Sequence, residues 1–558
     1  MYVRLQKSGT SKRVYVHLVE GFRDELGRSR QRIIKNYGEL GELEREEPDI
    51  LDRLKAEAKE LTRTKSESKV ALEIDYLRPR RADEHPINYG YFFLEGLYRK
   101  LGLHSFLKGI DLGRSAYDLE AIVELLVFAR ILAPASKSAT FADKGRFFRD
   151  FDFGLHDVFR ALDDLDGCAD GVCLHTHEQI KKHWGREAAL VFYDVTNYYF
   201  ECDLEDDFRK RGPSKERRQD PIVQMGLLID QAGIPITYKL FEGNTHDAKT
   251  LVPILEELKA TYGLSRIVVV ADKGVNGKDN LDFITKNADG YIVSNRVRGR
   301  VASDISAAIA DHSGWTFNDT GTFAYKSFVR AHKLAKGNTI EEKVVCYWSQ
   351  HYAKRQAHKR GDLLDGTQYL IAHPAAYDAA NDYGRKRYVR EHMLTSEGEI
   401  VKKVLSFDEE RFKNDAALDG FYAILTSEIG MADIEIIEHY RGLARIEESF
   451  RVLKSELEGR PIFVWTRPRI NAHFLICFLA LVLLRLLQAK TDHSLSTAQI
   501  ITSLQSATAT PLEKGIYVVE ETSASFKDLE KAFGVNLPVR YAPVETLKAY
   551  RRKIIAQA

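Results

Sequence analysis

Leu190-Val-Phe-Tyr-Asp-Val-Thr-Asn-Tyr-Tyr-Phe200 is the stretch on which the fold turns. Its aromatic and β-branched residues predict a strand, and a period of two puts Phe192, Asp194 and Thr196 on one face. A carboxylate inside such a run is not ordinary core filling. Ile267-Val-Val-Val-Ala271 has the unbroken apolar character of a strand buried on both faces and delivers Asp272 at its carboxyl end, just before Lys273-Gly274. Ligands of α/β sheets sit at that end. Residues 222–229 predict another strand, and Leu251, Ile254, Leu255 and Leu258 mark one face of a helix over about 248–262. Strands followed by helix and strand indicate an α/β core.

Around this core the chain divides by pattern. Residues 1–78 read as a β-rich module with a charged helix from about 49 to 61, a polar linker over 62–69 and a strand at 70–77. Residues 86–186 carry apolar residues at helical spacing, as in Leu119, Ile122, Val123 and Leu126, and read as a helical domain. The first part of the core is 187–295. Residues 296–418 show little helical periodicity and several strand-like runs, as expected of a β-rich insertion. The second part of the core, 419–492, contains a helix over about 431–457 and another over about 470–489. The tail, 493–558, is mixed and suggests no role.

A length of 558 residues implies several modules. Hydrophobic residues at 44% and charged residues at 29% are ordinary globular values. Lys+Arg at 82 nearly cancels Asp+Glu at 81, so any polyanion partner must be read from local charge. Five scattered cysteines do not make a secreted disulfide framework and point to a reducing, cytoplasmic setting. The start lacks a signal-peptide pattern, and the apolar run at 474–484 is shorter than the roughly 20 residues a membrane span needs, so a buried helix is expected.

In Tyr440-Arg-Gly-Leu-Ala-Arg-Ile-Glu-Glu-Ser-Phe-Arg-Val-Leu-Lys454, a rotation of about 100° per residue puts Tyr440, Glu447 and Lys454 on one helical face, with Arg451 close by. An acid flanked by a phenol and two cations suits a metal ligand beside phosphate. Asp194-Val-Thr196, Ala271-Asp-Lys-Gly274 and this segment, together with Pro134-Ala-Ser-Lys137, Gly243-Asn-Thr-His-Asp247 and Asp419-Gly-Phe-Tyr422, occur in an order that resembles the DDE transposases of bacterial insertion sequences. The matching subgroup has a long β-rich insertion before the glutamate and a Tyr, Arg, Glu, Lys helix signature. The likeness covers most of the chain.

The resemblance implies a ribonuclease H-like catalytic core, interrupted by the insertion, in which Asp194, Asp272 and Glu447 hold two Mg²⁺ or Mn²⁺ ions for strand cleavage and transfer. It also implies double-stranded DNA as partner, both element ends and target, a homodimer on paired ends, and action at the bacterial nucleoid. Tyr440 and Lys454 would touch the DNA backbone. Where the signature has arginine three residues after the tyrosine this chain has Leu443, and Arg451, about 40° from Glu447, is the expected replacement.

Local charge supports the same partner. Residues 209–218 carry six Lys or Arg against one Glu, making Arg209, Arg211, Lys215, Arg217 and Arg218 candidate DNA contacts. Further basic clusters lie at 354–360 and 385–390, with Tyr388 among cations as a candidate base-stacking ring. The crowded set Cys168, Cys173, His175 and His177 does not have zinc-finger spacing, and Gly274-Val-Asn-Gly-Lys278 lacks the spacing of a nucleotide-binding loop. A nuclease that only hydrolyses, or a catalytically silent DNA-binding descendant, would fit the same fold. The intact acidic triad argues against the silent form.

Overall fold

The structure is a computed structural model that describes residues 1–558 except 8–12, 24–28, 68–84, 114–115, 214–218, 265, 300–301, 378–383 and 397–398. The strand expected at 70–77 and the side chains of Lys215, Arg217 and Arg218 lie outside the described residues. Two compact units are present, Met1–Arg81 and Ala82–Ala558.

In the first unit β1 (Tyr2–Lys7), β2 (Val14–Arg23) and β3 (Ser29–Glu39) form an antiparallel meander. It is followed by α1 (Leu40–Glu46) and α2 (Ile50–Glu67), and Val16, Ile50 and Leu54 make its small core. The segment expected to be a linker continues α2, because 62–67 contains neither Gly nor Pro to stop it.

The second unit begins with β4 (Ile87–Asn88) and the helices α3 (Tyr91–Lys100), α4 (Leu103–Lys108), α5 (Leu119–Leu132), α6 (Lys137–Ala142) and α7 (Leu155–Trp184). Asp118 and Ser136 cap α5 and α6 by accepting from the backbone N–H three residues on. The core follows with β5 (Leu190–Tyr199), β6 (Ile222–Asp230), β7 (Pro235–Glu242), α8 (Leu251–Tyr262), β8 (Val268–Ala271), α9 (Lys278–Lys286) and β9 (Gly290–Asn295). These strands lie in the order β7-β6-β5-β8-β9, the first three antiparallel and the last three parallel. That is the ribonuclease H-like arrangement.

The insertion supplies α10 (Ser303–Ala310), β10 (Thr316–Phe317), β11 (Phe323–Lys333), β12 (Thr339–Ser349), α11 (Gln350–Ala372), β13 (Val389–Ser396), β14 (Glu399–Phe407) and α12 (Glu409–Ala417). Its β10, β11 and β12 extend the core sheet through β15 (Phe421–Thr426), giving nine strands in the order β10-β11-β12-β15-β9-β8-β5-β6-β7. The 23-residue α11 departs from the expectation of little helix. Only Thr367 and Leu370 of α11 are buried, so its sequence carries no apolar stripe to read.

The chain then forms α13 (Asp433–Arg441), α14 (Ala444–Arg451), a π-helical turn at Val452–Glu456, and α15 (Arg467–Lys490). Residues 472–488 of α15 are all buried, so this apolar helix is a core element enclosed by protein, packed on α5 and α7. The tail, which suggested no role, forms α16 (Thr497–Ser506), β16 (Thr508–Pro511), β17 (Ile516–Val519), α17 (Ala524–Ala532), β18 (Tyr541–Pro543) and α18 (Val544–Gln557). It closes on the start of its unit: β16 pairs with β4, and Arg551 of α18 donates to Glu95 of α3 at 2.6 Å. The sheet separates two apolar layers, and alternation along β5 sends Phe192 and Tyr198 into one and Val191, Tyr193 and Val195 into the other.

Candidate active site

Parallel pairing of β5 with β8 sets Tyr193 opposite Ala271, so Asp194 and Asp272 follow at the same level on neighbouring strands, about 4.8 Å apart by strand spacing. Both have the parity of the layer that contains Phe192, Val268 and Val270. Helix α14 packs its Ile446 and Phe450 into that same layer against β5 and β6, which brings Glu447 to the same side of the sheet. Asp194 is half-buried, whereas Asp272 and Glu447 are exposed. The structure thus puts the three carboxylates on one side of the sheet, with Asp272 at the carboxyl end of β8 and Asp194 midway along β5.

Ser294, at the end of β9, organises this group. Its hydroxyl donates to Asp272 Oδ1 at 2.6 Å and accepts the Lys273 N–H at 3.0 Å, fixing the carboxylate's orientation. The Tyr440 hydroxyl also hydrogen-bonds to Ser294. Burial first, and then the negative charges of Asp272 and Glu447, push that phenol up to about 12, against the opposing pull of the Ser294 bond. Tyr440 is therefore a neutral donor facing two of the three acids. Sequence reading does not find Ser294, and its signal is a hydroxyl at the end of the buried Tyr291-Ile-Val-Ser294 run, beside β8.

The helix expected over 431–457 is in fact broken. At Gly442 a side chain would lie 2.6 Å from the Phe192 ring, so the close approach of helix to strand requires glycine there, and Leu443 beside it is buried. After Arg451 the chain widens into a π turn, with Leu457 N–H bonding to Val452 O at 2.9 Å. Extrapolation at 100° per residue fails beyond this point. The Lys454 ammonium comes to rest 5.6 Å from the centre of the Tyr198 ring. Arg451 is exposed and pairs with Glu456 at 2.6 Å. Arg445 donates to the Gln231 carbonyl at 2.7 Å and Glu448 accepts from Arg485 at 3.2 Å, both away from Glu447.

The basic candidates diverge. Arg209 is held by Asp206 at 2.7 Å and lies between the Phe200 and Trp465 rings, at 5.4 and 5.3 Å. Arg211 donates to the carbonyls of Gln219 and Asp203 at 3.0 and 2.9 Å. Both brace the loop between β5 and β6. Tyr388 is buried against Phe412 and donates to Asp415, so it has no open face for a base. Thr245, His246 and Asp247 line a cleft with Asn197 and Gly274. The Cys and His residues of α7 point to separate partners: His175 meets the Leu101 carbonyl and His177 meets Arg186.

Three carboxylates on a shared face are a hard donor set suited to Mg²⁺ or Mn²⁺. Among the described residues, one group of three places its ligand atoms within 4.8 Å of one another, and it is His104, Glu120 and Glu124 of the helical region.

Comparison with known proteins bears on this geometry. The family described as "Transposase DDE domain" matches residues 163–483, and "IS1634 family transposase, N-terminal domain" matches residues 3–73. No curated protein matches the chain. Among solved structures, "Mos1 transposase paired-end complex with left transposon end" is 12% identical, with 35% of this chain and 65% of that chain covered and a TM-score of 0.15, too low to carry an argument. The first of the two families spans more than half of the sequence and contains Asp194, Asp272 and Glu447, with the second ahead of it, so the chain belongs to the DDE transposases of bacterial insertion sequences.

Proposed function

We propose that this transposase cleaves the ends of its insertion sequence and transfers the freed 3′-hydroxyl strands to target DNA, with Asp194, Asp272 and Glu447 as the catalytic carboxylates. One observation carries the reading: Asp194 and Asp272 end up level on adjacent parallel strands, and Tyr440 faces both Asp272 and Glu447 from the helical side. Members of the family use divalent metal ions, and two Mg²⁺ or Mn²⁺ ions held by these acids would activate the attacking oxygen and stabilise the leaving one. The chain's own groups do the positioning. Ser294 locks Asp272, and Tyr440, a neutral phenol, in turn donates its hydroxyl to Ser294. Arg451, Lys454 and the basic run that contains Lys215, Arg217 and Arg218 supply positive charge for the DNA backbone. Paired ends require two copies of the site, so a homodimer acting on DNA in the cytoplasm, at the nucleoid, is part of the proposal.

The test is cleavage of DNA carrying the element ends in Mg²⁺. Asp194→Asn, Asp272→Asn and Glu447→Gln keep shape but remove a charged ligand. Each is expected to abolish cleavage and joining while binding, followed by gel shift, stays near the parent's. Full cleavage by any one of them removes that residue from the site.

A further inference from the structure

Helix α5 is buried along its entire length, yet it carries Glu120 and Glu124, four residues apart on one face, with 0% and 1% exposure. Two carboxylates do not stay charged in such a place without compensation. Arg149 provides part of it, donating to Glu120 Oε2 at 3.1 Å and closely to Glu124 Oε2. The other arginines nearby are committed elsewhere, since Arg99 and Arg551 hold the buried Glu95 at 2.7 and 2.6 Å. Burial, and then the facing Glu120, raise Glu124 to about 8, so near neutral pH the two glutamates share a proton beside this one arginine.

Because Arg149 binds chiefly the Oε2 atoms, it leaves the Oε1 atoms toward His104 of α4. His104 Nδ1 lies 2.9 Å from Glu120 Oε1, but neither it nor the buried Glu124 Oε1 has an aligned hydrogen-bond partner. The Tyr98 hydroxyl, wholly buried and also without a partner, is close enough to feel both carboxylates. One ligand atom from each of His104, Glu120 and Glu124 lies within 4.8 Å of the other two. Tetrahedral ligands at bonds of about 2.1 Å lie about 3.4 Å apart, so an ion would draw the three atoms somewhat closer together.

We propose that His104, Glu120 and Glu124 bind one zinc ion, separate from the catalytic triad. One imidazole nitrogen and two carboxylate oxygens are a zinc donor set with a fourth position open to water. The ion takes the place of the shared proton between the carboxylates, and Arg149 holds the far oxygens of both glutamates, as outer partners of metal ligands do. Entry is from the side of His104, whose side chain is 25% exposed. Bound there, zinc pins α4 to α5 inside the helical region.

The experiment uses the full chain with the triad neutralised by Asp194→Asn, Asp272→Asn and Glu447→Gln, so that metal at the triad is not counted. After stripping with a chelator, Zn²⁺ alone is titrated by calorimetry and the melting temperature is followed. One equivalent is expected to bind and to raise the melting temperature, because an ion that binds only the folded state stabilises it. On the same background His104→Ala and the isosteric Glu124→Gln are each expected to weaken binding by roughly tenfold or more while circular dichroism shows the fold retained. Failure of the triad-neutralised protein to take up Zn²⁺ overturns the proposal. So does undiminished uptake by either folded variant.

Discussion

Arg451 leaves α14 toward solvent, 55% exposed, and meets Glu456, which is 14% exposed. A phosphate would compete with Glu456 for the guanidinium, both through charge-assisted hydrogen bonds. Arg451→Ala is therefore expected to cut strand cleavage at least about tenfold, the loss of one charge-assisted contact, while the melting temperature stays close to the parent's. Arg451→Lys should recover little, because an ammonium cannot grip two phosphate oxygens. Parent-level cleavage by Arg451→Ala would make it a surface residue only. Arginine has no place at 443, since Leu443 is buried in the apolar layer facing β5. At this scale the acids were legible, because each breaks a pattern: Asp194 interrupts an aromatic strand and Asp272 ends an apolar one. Ser294 was not legible, since a serine after a strand is common and only β8–β9 pairing brings it to Asp272. The partners of Arg209 and Tyr388 are hidden for a related reason. The acids that engage them, Asp206 and Asp415, become partners only through folding.

Helices α13 and α14 act as one element bent at Gly442, and the bend keeps Tyr440 near both Asp272, at the end of β8, and Glu447. Gly442→Ala would set a methyl 2.6 Å from the Phe192 ring. A buried ring in a packed layer cannot yield that space without cost, so about 1 to 3 kcal/mol of destabilisation is expected in urea unfolding. Cleavage should fall by more than the stability loss explains, because the shift moves Tyr440 relative to Asp272. Retention of full cleavage and stability would show that helix and strand separate freely here. The helix was legible in the apolar spacing of Ile436, Ile437, Ile446 and Phe450, but not its break. Nothing local marks Gly442 as a packing residue, and the π turn arises from residues with ordinary helical propensity. The insertion's strands were partly visible as β-branched runs. Their union with the core sheet was not, because it depends on β12 pairing with β15 across α11, β13, β14 and α12.

Across the second unit, a buried chain of polar groups joins segments far apart in sequence. Lys137, at the start of α6, sends its amine to His473 Nδ1 of α15 at 3.3 Å, and His473 Nε2 meets the Gly459 carbonyl at 3.1 Å. The chain thereby fastens the helical region to the turn that follows the Glu447 helix. Desolvation, assisted by Arg130, lowers Lys137 to about 7, and burial also keeps His473 neutral, so an amine N–H can donate to an unprotonated imidazole. Between about pH 7 and the ordinary lysine value of 10.5, the unfolded chain binds a proton that the folded chain does not. Stability from this group therefore rises with pH through that window, by up to about 1.4 kcal/mol per unit, and its cost is fully present below pH 7. Lys137→Met removes the charge and the slope together. Relative to the parent, the variant is expected to gain stability at pH 6.5 and to lose that advantage by pH 9.5, where His473 Nδ1 is left without its donor. Urea midpoints of both proteins at several pH values check this. Parallel curves for the two proteins would mean that Lys137 keeps an ordinary proton affinity in the fold, and that the Lys137–His473 link does not bear on how the helical region is held to the core.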